Sequence, residues 1–190
     1  DCTSLLQSSL TDEKYDVPEG HYEDENMKST FVPNRNSIFT SIIYGYAITL
    51  YQQLNTNITI SLGVHSGDHT IYPDCRPEFF ASIMNSFKIG NWNSENIDIY
   101  LPFINYDKKK IIQNAIDSCN KLNLNFNDIY TNTITTYSPD KNGLSHGRTG
   151  SDIERIIAFH SLGLQDPASY TEDWDKIVEY ALNIEKKHNS

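Results

Sequence analysis

A chain of 190 residues is long enough to bury a core without disulfide or metal staples, and 38% hydrophobic with 12% aromatic residues excludes a disordered polymer. Fifteen Lys and Arg against twenty-five Asp and Glu give a formal charge of −10, which repels phosphate backbones and argues against a nucleic-acid partner. Three cysteines without paired spacing exclude a disulfide framework, and no apolar run approaches a membrane span, so one cytoplasmic globular domain over 1–190 is expected, with no membrane partner. The start, Asp1-Cys2-Thr3-Ser4, lacks the basic and apolar regions of a secretion signal, and the missing initial Met leaves room for an upstream segment.

Residues 1–35 are polar, punctuated by Pro18, Gly20 and Pro33, and read as a loop that offers little to a core. Helical spacing of Ile38, Phe39, Ile42, Ile43, Tyr46, Ala47 and Leu50, with start signals at Pro33 and Asn36, predicts a largely buried helix over 36–54. Ile58, Ile60, Leu62 and Val64 alternate with Thr59 and Ser61, the period of a strand, and the run ends in a dense polar loop from His65 to Arg76. Open α/β sheets bind ligands at the C-terminal ends of their strands, so a site is sought first in that loop.

Pro77 suits a first helical position, and Phe79, Phe80, Ile83, Met84 and Phe87 predict a helix over 77–88. A short strand follows at Ile97–Pro102, and Asp107 is placed to cap a helix carrying Ile111, Ile112, Ala115, Ile116, Cys119 and Leu122 on one face. Residues 128–150 read as a loop. Ser151-Asp152-Ile153-Glu154 then matches a capping box and opens a helix that stops near Gly163. A last helix spans about 171–188, packed through Trp174, Ile177, Val178, Ala181 and Leu182. Helices alternating with strands predict an α/β fold, an open parallel sheet with helices on both faces.

On an acidic chain with only four arginines, each guanidinium is a candidate for holding an anion. Asp74 and Arg76 share a side if the chain is extended there, which offers an acceptor and a forked donor to one ligand, or an internal ion pair. Val32-Pro33-Asn34-Arg35-Asn36 sets a guanidinium and an amide at a helix N-terminus, where backbone N–H groups favour anions; the plainer reading makes Asn36 a cap and Arg35 a solvated charge. His65 and His69 have the spacing of helical metal pairs, but Gly67 and the loop setting break that geometry. Cys75 reads as a small packed thiol, Lys108-Lys109-Lys110 as a solvated helix face, and the Trp and Phe residues as core.

Taken in order, Ser9-Leu10-Thr11-Asp12, Val17-Pro18-Glu19-Gly20-His21-Tyr22, Val32-Pro33-Asn34-Arg35-Asn36, Gly63-Val64-His65 and Tyr72-Pro73-Asp74-Cys75-Arg76-Pro77-Glu78-Phe79 resemble the 7-cyano-7-deazaguanine synthase family. Ile153-Glu154-Arg155-Ile156-Ile157-Ala158-Phe159 with Asp166-Pro167 looks like its closing helix. The resemblance implies a PP-loop fold of the adenine nucleotide alpha hydrolase-like type, without its first strand-loop-helix. The family's Ser-Gly-Gly-x-Asp-Ser loop for ATP does not occur in these residues, so it is expected upstream or on another polypeptide. The four cysteines of the family's zinc site correspond to Thr136, His146, Thr149 and Asp152, so zinc is not expected and hydrogen bonds should hold that loop.

The implied reaction converts 7-carboxy-7-deazaguanine and ammonia to the nitrile through an amide, using ATP and magnesium to create a leaving group on a carboxylate that is otherwise a poor electrophile. In that frame Arg35 and Arg76 meet the substrate carboxylate or the adenylate phosphate, and Asn34 with Arg35 faces the nucleotide. Asn36, Asp68, Tyr72 and Asp74 contact the substrate, either Asp accepting from the deazaguanine edge and Tyr72 covering the ring. A homodimer is implied as well. Two other readings keep the fold: a relative that attaches a deazaguanine to a macromolecule, and a deazapurine-binding subunit without catalysis.

Overall fold

β-branched residues at alternate positions put Ile58 and Ile60 on one side of a short strand, β1 (Ile58–Ser61), leaving Thr59 and Ser61 exposed. It pairs in parallel with β2 (Ile97–Tyr100), Ile58 opposite Ile97 and Ile60 opposite Ile99. A parallel pair needs a crossover, and α2 (Pro77–Gly90) lies within it. α1 (Arg35–Leu54) packs on both strands, and Tyr44, Ala47, Ile60, Met84 and Ile97 form the buried centre. The fold is therefore α/β, a parallel sheet flanked by helices, as the alternation of elements implies. This computed structural model describes residues 5–12 and 14–190, so Cys2 and the Asp1–Ser4 start lie outside the described residues.

The expected burial of α1 is corrected. Phe39, Ile42 and Tyr46 are 61%, 68% and 61% exposed, whereas the buried side runs through Thr40, Tyr44 and Ala47. The helix is apolar around most of its circumference, so periodicity alone does not select the side that the strands cover. Thr40 is tolerated in the core because its hydroxyl donates to the Asn36 carbonyl one turn back. Trp92 is likewise no core residue; it is 90% exposed beyond the end of α2.

The chain divides into two compact units: residues 32–105, described above, and residues up to 31 together with 106–190. The second unit holds α3 (Lys108–Leu122), α4 (Phe126–Tyr130), α5 (Gly150–Ser161) and α6 (Trp174–His188). α5 is its axis, touching α3 and α6, with Ile153, Ile156, Ile177, Val178 and Ala181 buried between α5 and α6. Asp107 caps α3 as predicted, accepting from the Lys110 N–H at 2.7 Å. The capping box of α5 sits two residues earlier than the sequence pattern placed it, on Thr149 and Asp152. Glu154 is unavailable for it because Lys108 reaches it at 2.6 Å, and this also takes Lys108 out of the solvated face expected of the lysine run.

The N-terminal segment contributes more than a polar loop should. A 3-10 turn at Glu25–Thr30 buries Met27 and Thr30, and a Cβ on Gly150 would stand 2.9 Å from the Met27 sulfur, so glycine is what lets α5 begin there. His21 is buried, its Nε2 2.9 Å from Glu185, its ring stacked at 3.7 Å on His188. His188 in turn meets Asp24 at 2.9 Å.

Candidate functional site

The chain leaves β1 at Ser61 and turns through two 3-10 segments, Ser66–Asp68 and Pro73–Cys75, before α2. The first is held locally: His65 Nδ1 accepts from the Gly67 N–H at 3.1 Å, and His65 Nε2 lies 3.4 Å from Asp68. That hydrogen bond leaves His65 no Nδ1 lone pair for a metal, and His69 stands outside any metal-binding group found among the described residues.

Asp74, only 6% exposed, works across the unit. One carboxylate oxygen accepts from the Asn36 backbone N–H at 3.3 Å in the first turn of α1. Asn34, the N-cap residue, is left-handed with φ 62° and makes no side-chain cap, so Asp74 supplies from a distance the acceptor that the helix start lacks. The Asn36 amide returns the contact, donating to the Asp74 carbonyl at 3.2 Å and to the Cys75 sulfur at 3.3 Å. The other Asp74 oxygen, Oδ1, has no partner among the described residues. An anion at this helix N-terminus is thus present already as a protein carboxylate, which weakens the case for a ligand phosphate on the same N–H groups.

Beside this clasp lies a cavity of about 220 Å³ lined by Arg35, Asn36, Phe39, Leu62, Asp68 and Cys75, among others. It opens where β1 ends, the position predicted for a site. Its volume is below the roughly 300–1,000 Å³ of pockets for drug-sized ligands, so it suits one fused ring system better than a whole nucleotide. Arg35 is its cation and Asp68 its carboxylate; Phe39 and Leu62 give it apolar walls.

Arg35, Asn36 and Asp68 are therefore brought together, but other expected site residues are not among those lining the cavity. Neither Asp74 nor Arg76 lines this cavity, and Pro73–Cys75 is a 3-10 turn rather than an extended run, so the shared side expected of residues two apart does not arise. Arg76 is spent on the loop, its Nε donating to the His69 carbonyl at 2.8 Å and its Nη2 toward Thr70 at 3.5 Å. Tyr72 and Asn34 are also outside the lining. Phe39, Thr40 and Phe80 line it without having been singled out; apolar residues at helix spacing carry no local sign that they face a cavity.

Burial, with Asp68 and Asp74 nearby, pushes the Cys75 thiol up to about 12 from 9.0, against the opposing pull of Arg35 and the Asn36 hydrogen bond. Cys75 is thus a packed, protonated thiol and no nucleophile at neutral pH. Because the folded value is raised, the folded chain holds a proton that the unfolded chain loses first. The associated stability is full below about pH 9 and disappears as pH rises from 9.0 toward 12. Tyr170, raised by burial and by Asp166, acts in the same direction. Urea midpoints are expected to fall between pH 8 and about 10.5, with Cys75→Ala showing a smaller fall. An equal fall in both proteins would remove Cys75 from the explanation.

Fold and cavity together define a parallel α/β protein with a small cavity at a strand's C-terminal end. The family model "Queuosine biosynthesis protein QueC" matches residues 1–163. The chain is 42% identical over 166 residues to 7-cyano-7-deazaguanine synthase 1 of Colwellia psychrerythraea, covering 87% of this chain and 68% of that one. It is 42% identical to the 7-cyano-7-deazaguanine synthase of a Marinomonas species, with the same coverage. The synthase of Caldicellulosiruptor saccharolyticus is 36% identical over 174 residues, 90% of this chain and 70% of its own. The chain belongs to the queuosine biosynthesis protein QueC family.

No described helix is long and apolar enough to cross a membrane. Thr136, His146, Thr149 and Asp152, the positions that the resemblance sets against the family's zinc cysteines, do not converge as a ligand set. Thr136 accepts from the Ser138 N–H, His146 pairs with Thr171 at 3.0 Å, and only Thr149 and Asp152 meet. Two neutral hydroxyls, one exposed imidazole and one carboxylate already surrounded by donors, with no thiolate among them, do not fit a structural zinc.

Proposed function

We propose that this chain is the substrate-recognising part of a 7-cyano-7-deazaguanine synthase, binding 7-carboxy-7-deazaguanine in the cavity at the end of β1. The observation that carries the reading is the convergence of Arg35, Asn36 and Asp68 on one small, partly apolar cavity inside the segment that the family model matches. In this reading Arg35 holds the substrate carboxylate in a charge-assisted pair. Asp68 accepts N–H donors from the ring edge, and Phe39 and Leu62 contact the ring faces.

Asp74 and Arg76 act one step back, as positioning residues: Asp74 fixes the first turn of α1, and Arg76 fixes the 65–76 loop by holding its carbonyls. ATP with magnesium would convert the carboxylate into a group that ammonia can displace. Arg35 is the cation this cavity offers toward that charge, and Asn34 sits next to it at the start of α1. A homodimer in the cytoplasm belongs to the same reading, with Cys75 and Cys119 both free thiols.

Calorimetry with 7-carboxy-7-deazaguanine, compared with 7-deazaguanine lacking the carboxylate, tests the pocket. Preference for the carboxylated ligand is expected, and equal affinity for both would remove the role given to Arg35. Mass spectrometry of the product made with ATP, magnesium and ammonia then separates nitrile formation from conjugation to a macromolecule.

A further inference from the structure

The loop from Thr133 to Asp152 is where the family's cysteines would converge on zinc, yet its side chains make a closed arrangement of their own. Asp152, Ser145 and Thr149 are all buried, at 1%, 6% and 5% exposure. One Asp152 oxygen accepts from the Ser145 hydroxyl at 2.8 Å. The other accepts from the Thr149 hydroxyl at 2.6 Å and the Thr149 N–H at 3.1 Å. The carboxylate thus gathers donors from both ends of the 145–152 turn.

The arrangement extends in both directions. Ser145 Oγ accepts from the Gly147 N–H at 2.9 Å, and the Ser151 hydroxyl donates to the Thr135 carbonyl at 2.7 Å, tying the turn to the incoming arm of the loop. Gly147 has φ +71° and a Cβ there would stand 3.2 Å from Ile177, so the turn is pressed against the α5–α6 core. A buried carboxylate is costly unless its lone pairs are met, and here three donors meet them.

We infer that Asp152 is the centre of a metal-independent lock that does for this loop what a zinc ion does in a four-cysteine site. Zinc binding requires ligands that give lone pairs, and the Asp152 carboxylate already uses its own to accept from the Ser145 and Thr149 hydroxyls and the Thr149 N–H. Without cysteine or methionine the loop offers no sulfur for a mild oxidant to attack, and a lock that holds no metal is indifferent to a chelator. The inference does not depend on the synthase reading, because it concerns folding and metal content.

The test uses the full chain expressed in zinc-supplemented medium. Elemental analysis is expected to find less than about 0.1 zinc per chain, and Tm should move by less than about 1 °C on adding a strong chelator. Asp152→Ala should lower Tm by roughly 5–10 °C. Ser145→Ala, which removes one donor and keeps the carboxylate, should lower it by a smaller amount and keeps the test readable if the first variant does not fold. Zinc at about one per chain, a Tm that falls with chelator, or a Tm unchanged in Ser145→Ala and any soluble Asp152→Ala would overturn the inference.

Discussion

Replacing Arg155 with Ala is expected to destabilise the protein by about 3–5 kcal/mol, the largest loss from any single side chain outside the apolar core. Arg155 and Asp166 form a two-pronged pair with both side chains buried, Nη2 to Oδ1 at 2.8 Å and Nε to Oδ2. Asp166 also accepts from the Tyr170 hydroxyl at 2.8 Å and the Ala168 N–H at 2.9 Å, so the carboxylate is the hub that fixes the 166–170 turn between α5 and α6. Removing the guanidinium strands a charge that water cannot reach.

At this chain length the loss corresponds to a Tm fall of roughly 6–20 °C. The double change Arg155→Met with Asp166→Leu should recover part of it, because two apolar groups leave no charge behind. A single-variant loss below about 1 kcal/mol would mean that the pair is screened rather than buried.

Arg35→Ala is expected to weaken binding of 7-carboxy-7-deazaguanine by about 10- to 150-fold, the value of one charge-assisted contact of roughly 1.5–3 kcal/mol. Its stability cost should be small, since no cap or core contact of α1 rests on the guanidinium; Asp74 grips the Asn36 N–H instead. Arg76→Ala should show the opposite split. Its donors hold the His69 and Thr70 carbonyls, so Tm falls along with affinity, and the affinity loss reports loop disorder rather than a missing contact. Calorimetry and thermal melts on the two variants separate the roles. If Arg35→Ala melts early and Arg76→Ala alone loses affinity, the assignments are reversed.

The elements were legible because each carries a local signal. Pro77 opens α2 where expected, Asp107 caps α3, and the Ile58–Ser61 alternation becomes β1. The side of α1 that packs was not legible, since Phe39, Ile42, Thr40 and Tyr44 are all compatible with a helix and the choice is made by strands distant in sequence. The site followed the same division. The loop after β1 was singled out from chain order, and Arg35, Asn36 and Asp68, expected to meet ligands, line one cavity there. The expectation that Asp74 and Arg76 share a side assumed an extended backbone through Pro73, where the chain makes a 3-10 turn. The capping box was misplaced for a related reason: both Ser151/Glu154 and Thr149/Asp152 satisfy the pattern, and only Lys108 decides by claiming Glu154.

The stacked imidazoles bear on where this polypeptide can safely be cut. His21 lies in the stretch that the family model covers, which ends at residue 163, whereas Glu185 and His188 lie beyond that limit. Trimming at residue 163 would bare Ile153 and Ile156 to water and deprive the buried ring of its acceptor. The compact unit built around α5 therefore runs past the end of the family-model match, and α6 belongs to that unit as fully as α3 and α5 do.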